Sequence, residues 1–179
     1  MGILLLKLSY SPASGAPEKG MLCMLVERDN SALSNSESFV PSREQIERLE
    51  AAILTMPQLE IQTTHYFAHG MYAREVLIPA GAILTGKVHK AEHLNIVSAG
   101  RIIVWTEDGM REVSAPYTMV SRPGTKRVGM ALEDTVWTTI HATEITADEL
   151  TPELLAALEA ELIEPQTAVI EGKDKLWLG

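Results

Sequence analysis

Between residues 58 and 145 the sequence is cut into short apolar runs at close, regular spacing, with Gly, Pro or an acidic turn between them. Arg74 to Ile78 alternates into an apolar run that Pro79-Ala80-Gly81 turns. Ile83 to Val88, Glu92 to Val97 and Gly100 to Trp105 follow, and Glu107-Asp108-Gly109 reads as a hairpin turn. Met110 to Val113, Tyr117 to Ser121, Arg127 to Ala131 and Thr135 to His141 complete the series. Short strands punctuated in this way predict a mainly β sandwich or barrel.

The flanks read differently. Residues 1–41 form an N-terminal arm with two strand-like runs, Ile3 to Leu8 and Met21 to Val26, which can pair as a long-looped hairpin. A helix is predicted over 42–57. Ser42 and Gln45 have capping-box spacing, Ile46, Leu49 and Ile53 make an apolar stripe, and Met56-Pro57 stops it. Its expected place is the outside of the barrel or a neighbouring subunit. Residues 146–179 read as a C-terminal helix and tail. Thr146 and Glu149 offer one start, Thr151-Pro152 a second, and Leu154, Leu155, Leu158 and Leu162 one apolar face. Trp177 in the tail is the kind of residue that marks a partner contact.

Composition narrows the partners. The chain has 179 residues and a formal net charge of -9, against a broad nucleic-acid face or charge-driven membrane binding. Its single cysteine, Cys23, excludes an intrachain disulfide and a zinc site built on several thiolates. No apolar run approaches a membrane span, and the start lacks the basic region of a signal peptide. The composition suits a reducing compartment such as a cytoplasm, and a lone cysteine is also compatible with a virion. Neither a Gly-x-Ser-x-Gly elbow nor a P-loop is present.

The chemistry concentrates in Gly86 to Gly100. His89 and His93 are four residues apart, and on a strand of period 2 both face one way. Converging imidazoles can hold a transition metal. His141, on the last predicted strand, is a third imidazole if it faces inward. His65 and His69 lie just before the barrel and can reach its mouth, whereas Glu92 falls on the opposite strand face.

These residues resemble the cupin superfamily, the RmlC-like double-stranded β-helix or jelly roll. The first cupin motif has two His separated by one residue, then a Glu, then a Gly seven residues on. Aligned on Gly100, the Glu position falls on His93, the second His on His89 and the first His on Lys87. Ser121-Arg122-Pro123-Gly124-Thr125-Lys126-Arg127 resembles the second motif, with its His position on Arg127 and its Asn position near Ala131. The resemblance implies a cupin-type jelly roll with peripheral helices and extended terminal arms. It also implies one divalent transition metal (Fe, Mn, Ni or Zn) on His89, His93 and His141. Two ligand places carry cations, Lys87 and Arg127. An Arg keeps its proton in a protein, and fixed cations repel a divalent ion at low dielectric. Either these cations point outward, or the site no longer binds a divalent metal well and the pocket, with Lys87, Arg127 and the two histidines, can hold an anion instead.

The stretch Glu75 to Gly100 with Tyr117 to His141 is also similar to small cupin proteins encoded by bacteriophages and prophages. That resemblance implies a non-catalytic structural or assembly protein of a phage particle. Its partners would be further copies of itself, as a homodimer or larger, and other virion proteins. The competing readings are a metal-dependent cupin enzyme on a small polar substrate and a small-anion-binding module.

Overall fold

The computed structural model describes residues 4–7, 40–106, 108–146 and 150–164. Among them, ten strands make two five-stranded antiparallel sheets, and two helices flank these. The strands are β1 (Leu4–Lys7), β2 (Thr63–Ala68), β3 (Met71–Ile78), β4 (Ala82–Thr85), β5 (His93–Ala99), β6 (Arg101–Thr106), β7 (Gly109–Ser114), β8 (Tyr117–Ser121), β9 (Val128–Ala131) and β10 (Thr135–Ala142). The helices are α1 (Arg43–Leu54) and α2 (Pro152–Leu162). No helix among the described residues is long and apolar enough to cross a membrane.

Strand pairing is nested: β3 with β10, β4 with β9, β5 with β8, and β6 with β7. This is one long antiparallel hairpin, rolled so that β10 also meets β5 and β9 also meets β6. The sheet orders are β1-β4-β9-β6-β7 and β2-β3-β10-β5-β8. That arrangement is a jelly roll, as the resemblance implied. Val76, Ile78, Val97, Ile102, Val104 and Trp137 fill the space between the sheets. Side chains alternate as the pleat demands: on β5, His93, Asn95 and Val97 are buried and Leu94 is exposed. Gly100 joins β5 to β6 at φ +79°, and a Cβ there would lie 2.2 Å from the Asp134 carbonyl oxygen. Only glycine fits such a position.

Helix α1 begins as its cap dictates. The Ser42 hydroxyl accepts from the Gln45 backbone N–H, and the Gln45 side chain accepts from the Ser42 N–H. Its buried stripe, Ile46, Leu49 and Ile53, packs on Ile83, Ile103, Trp105 and Val128 of its own barrel. Burying each such side chain contributes roughly 1.5–3 kcal/mol. Helix α2 starts at the second of the two expected positions, with the Thr151 hydroxyl accepting from Leu154 N–H. Its Leu158 and Leu162 cover Tyr72 at one end of β3.

One expectation changes, the shared strand face of Lys87, His89 and His93, and others fall outside the described residues. The edge strand β1 pairs with β4 of its own barrel (Leu4 with Thr85), and the run at 21–26 lies outside the described residues. So does the Trp177 tail, along with Glu149 of the alternative helix start. Strand β4 stops at Thr85 and β5 begins at His93, so Lys87 and His89 sit on a connection and not on a strand face. The reason lies in where the backbone bonds go. Lys90 N–H donates to Leu162 O, and Glu164 N–H donates to Val88 O. His89 bridges Ile163, and its carbonyl accepts from Gly124 N–H. The end of α2 and the Pro123-Gly124 turn replace a neighbouring strand.

Candidate metal centre

Two strands and one connection bring the imidazoles together. His93 opens β5 and His141 lies near the end of β10, both facing inward at 6% and 3% exposure. Because Leu94 pairs with Ile140, these two histidines stand at the same end of the sheet. His89 reaches them from the connection that the Gly124 N–H braces. Ring centroids are 4.3 Å apart for His89 and His93, and 4.7 Å for each of the other two pairs. One nitrogen from each ring lies within 4.8 Å of the others.

The protonation chemistry suits a ligand set. His93 Nδ1 lies 3.0 Å from the Ala91 carbonyl, a bond it makes as a donor. That leaves Nε2 as a bare lone pair, buried and without a partner. His89 Nδ1 is buried and partnerless as well. Burial, and then the neighbouring His93 and His141, push His89 down to about 3. Burial and His93 push His141 to about 4, and burial lowers His93 also. All three are therefore neutral at pH 7, the form that binds metal. Around one ion at about 2.0–2.1 Å the nitrogens would stand roughly 3 Å apart, so small ring shifts close the set.

The cations are placed as follows. Lys87 Nζ donates to Glu159 Oε1 at 2.8 Å, so helix α2 neutralises it. Arg127 Nη2 donates to the Ser121 hydroxyl, which also accepts from Asn95 Nδ2 at 2.6 Å. Asn95 Oδ1 in turn accepts from Trp137 Nε1 at 2.9 Å and from the Thr139 hydroxyl at 3.2 Å. Lys87 and Arg127 both line a cavity of about 100 Å³ beside His89, together with Arg74 and Thr139. Ala131 is part of the apolar core. Glu92 is exposed, His69 lies in an exposed turn, and His65 bonds the Tyr72 hydroxyl at 2.7 Å, apart from the other histidines.

Sequence reasoning passed over Arg74. Burial lowers its pKa, yet a guanidinium stays charged in a protein. Its Nε and Nη2 are buried without a partner. Among the described residues, the four buried side-chain polar atoms lacking a partner are these two, His89 Nδ1 and His93 Nε2. Period 2 counted back from Ile78 through Val76 puts Arg74 on the inner face, a signal available in the sequence. Asn95, two residues after His93, carries the same signal.

No protein-family model matches the chain, and no curated protein does. Solved structures of similar arrangement include a cupin-like protein from Thermotoga maritima, with a TM-score of 0.41 and 14% identity over 48% of this chain and 69% of that one. KdgF from a Halomonas species gives a TM-score of 0.42 and 20% identity over 48% and 82% of the two chains. A cupin superfamily protein from Desulfitobacterium hafniense gives 0.42 and 6% over 52% and 87%. Nothing in these similarities links the chain to a bacteriophage.

Proposed function

We propose that this chain is a metal-dependent cupin-type enzyme acting on a small polar molecule, with one divalent transition metal (Fe, Mn, Ni or Zn) held by His89, His93 and His141. The observation that carries this reading is that the partnerless buried side-chain polar atoms of the described residues belong to Arg74 and His89, which line one cavity, and to His93, whose ring lies 4.3 Å from that of His89. A fold that hides polar atoms without partners has left them for something else to satisfy. Three protein ligands without a fourth are the pattern of catalytic sites, which keep a position open; structural sites close it. An ion held there supplies Lewis-acid polarisation of a substrate oxygen or lowers the pKa of a bound water.

The protein's own residues prepare the place. The Ala91 carbonyl fixes the His93 tautomer. The bonded set Asn95, Ser121, Thr139 and Arg127 holds the floor of the site rigid. The end of helix α2 ties down the segment that carries His89. A titration with Co²⁺, followed by its visible absorption, tests the reading. One equivalent should bind with a nitrogen-ligated spectrum and fail to bind His93→Ala. Absence of any saturable Co²⁺ site in the parent would sink it.

A second reading, assembly, is favoured by one observation. Tyr66, Ala73, Ile140, Leu94 and Val120 form a row across the outer face of the second sheet, and Tyr66, Leu94 and Val120 are 49%, 42% and 58% exposed. We infer self-association through this face, giving at least a homodimer. Sedimentation of a Leu94→Lys/Val120→Lys variant should show a smaller species than the parent; equal sizes would contradict it. The role in a phage particle rests on the sequence resemblance alone, and the terminal arms it would use lie mostly outside the described residues.

A further inference from the structure

The inner face of the second sheet is graded in rows. His141 pairs with Tyr72. One row deeper, Thr139 pairs with Arg74 on one side and Asn95 on the other. Deeper again, Trp137 pairs with Val76 and Val97. The cavity follows the same gradient: Arg74, His89, Arg127 and Thr139 line it, and so do Val76, Ile102, Val104 and Trp137. It offers charge and hydrogen bonds on one side and apolar surface on the other.

The decisive group is Arg74. Nε–H and one Nη2–H lie on the same edge of a guanidinium and point the same way, a fork that matches the two oxygens of a carboxylate. These are the two atoms that are buried without a partner. The nearby cations are engaged otherwise: Lys87 with Glu159, and Arg127 with Ser121. Among the described residues no Asp or Glu lines the cavity, and the nearby Glu159 is bonded to Lys87, so neither Arg74 nor Arg127 has a carboxylate bonded to it. A divalent ion on the histidines would add to the positive charge of these two groups.

We propose that Arg74 binds the carboxylate of a small organic acid in a bidentate fork, with the acid's short apolar body against Val76, Ile102, Val104 and Trp137. The cavity of about 100 Å³ is smaller than the ~150 Å³ that accommodates benzene, which fits a chain of about two to four carbons. This deepens the proposed function, since the acid would be the substrate class of that metal site. It concerns a different residue, however, and can fail separately.

The test is an NMR titration of the full-length, metal-free protein with propionate, with propionamide as the neutral isostere and with sulfate as an anion that has no apolar body. Metal uptake is measured in parallel. Propionate should saturate at one per chain, with propionamide at least about tenfold weaker, the scale of a lost charge-assisted pair, and sulfate weaker because it has no apolar body to set against Val76, Ile102, Val104 and Trp137. Arg74→Lys keeps the charge and loses the fork, so it should weaken propionate by about tenfold or more while metal uptake persists. If Arg74→Lys does not fold, the propionate-to-propionamide ratio in the parent decides alone. Propionamide or sulfate binding as tightly as propionate overturns the proposal. So does the absence of propionate binding in both metal-free and metal-loaded protein. Propionate binding without metal uptake keeps the carboxylate site and removes the metal reading; metal uptake without propionate binding does the reverse.

Discussion

Two buried polar clusters lie in this small barrel and are finished differently. Behind α1, Lys126 is 4% exposed and Glu50 9%. Lys126 Nζ donates to both Glu50 carboxylate oxygens at 2.8 Å, and the Thr85 hydroxyl donates to one of them at 2.9 Å. Charge meets charge, and the cluster ties the helix to the end of β4. Between the sheets, Arg74, His89 and His93 bury four polar atoms that bond to nothing. Both clusters pay the desolvation cost of burial, and only the first recovers it within the chain. Satisfied buried polar groups hold a fold together; unsatisfied ones on converging side chains mark where a fold expects a ligand.

The largest effect that can break this contrast is on the first cluster. Glu50→Ala leaves Lys126 buried and unpaired, and should cost about 3–5 kcal/mol in chemical denaturation. Metal taken up per folded molecule should be unchanged. If Glu50→Ala costs no more than a surface substitution, the cluster is not the tie described here.

Next in size is the effect of filling the second cluster. Zn²⁺ at a hundredfold excess over its dissociation constant should raise the unfolding free energy of the chelator-treated protein by about 2.7 kcal/mol. The gain should vanish in His93→Ala. An equal gain in parent and variant would place the ion elsewhere.

Acid should weaken the second cluster. The folded pKa values of His89 and His141, about 3 and about 4, lie below the ordinary 6.5 of the unfolded chain. Below pH 6.5 the unfolded state therefore binds more protons than the native state. Stability is fully present above that pH and falls as pH drops toward the folded values. From pH 7.5 to pH 5.5 the loss should be roughly 1 kcal/mol per histidine, and a His89→Gln/His141→Gln variant should show a flatter profile. Identical profiles would mean that these rings titrate normally.

The smallest effect belongs to a third kind of polar group. Arg101 meets Glu112 at 3.0 Å and Glu133 at 3.2 Å with all three side chains well exposed. Arg101→Ala should change stability by no more than about 1 kcal/mol.

Much of this contrast was legible in the chain, and the rest was not for physical reasons. Local rules found α1, because Ser42 and Gln45 cap it within three residues. They also found the joint at Gly100, where only a glycine avoids the Asp134 carbonyl. Motif spacing singled out His89 and His93, and the last predicted strand added His141, but the spacing gave the wrong route for His89. It joins the others through a connection held by α2 and the Pro123-Gly124 turn, contacts that no local pattern encodes. Lys126 and Glu50 are 76 residues apart, so neither announces the other. Arg74 did carry a signal, its place in the period-2 run to Ile78, but an Arg at a strand end reads first as a solvated charge.

Elemental analysis decides whether His89, His93 and His141 are a metal site. Full-length protein, purified without chelator, is compared with a His89→Ala/His93→Ala variant whose folding is checked by circular dichroism. The account predicts one equivalent of a divalent transition metal per chain in the parent and none in the variant. No metal in the parent, even after incubation with Fe²⁺, Mn²⁺, Ni²⁺ and Zn²⁺, or equal metal in both proteins, would contradict it.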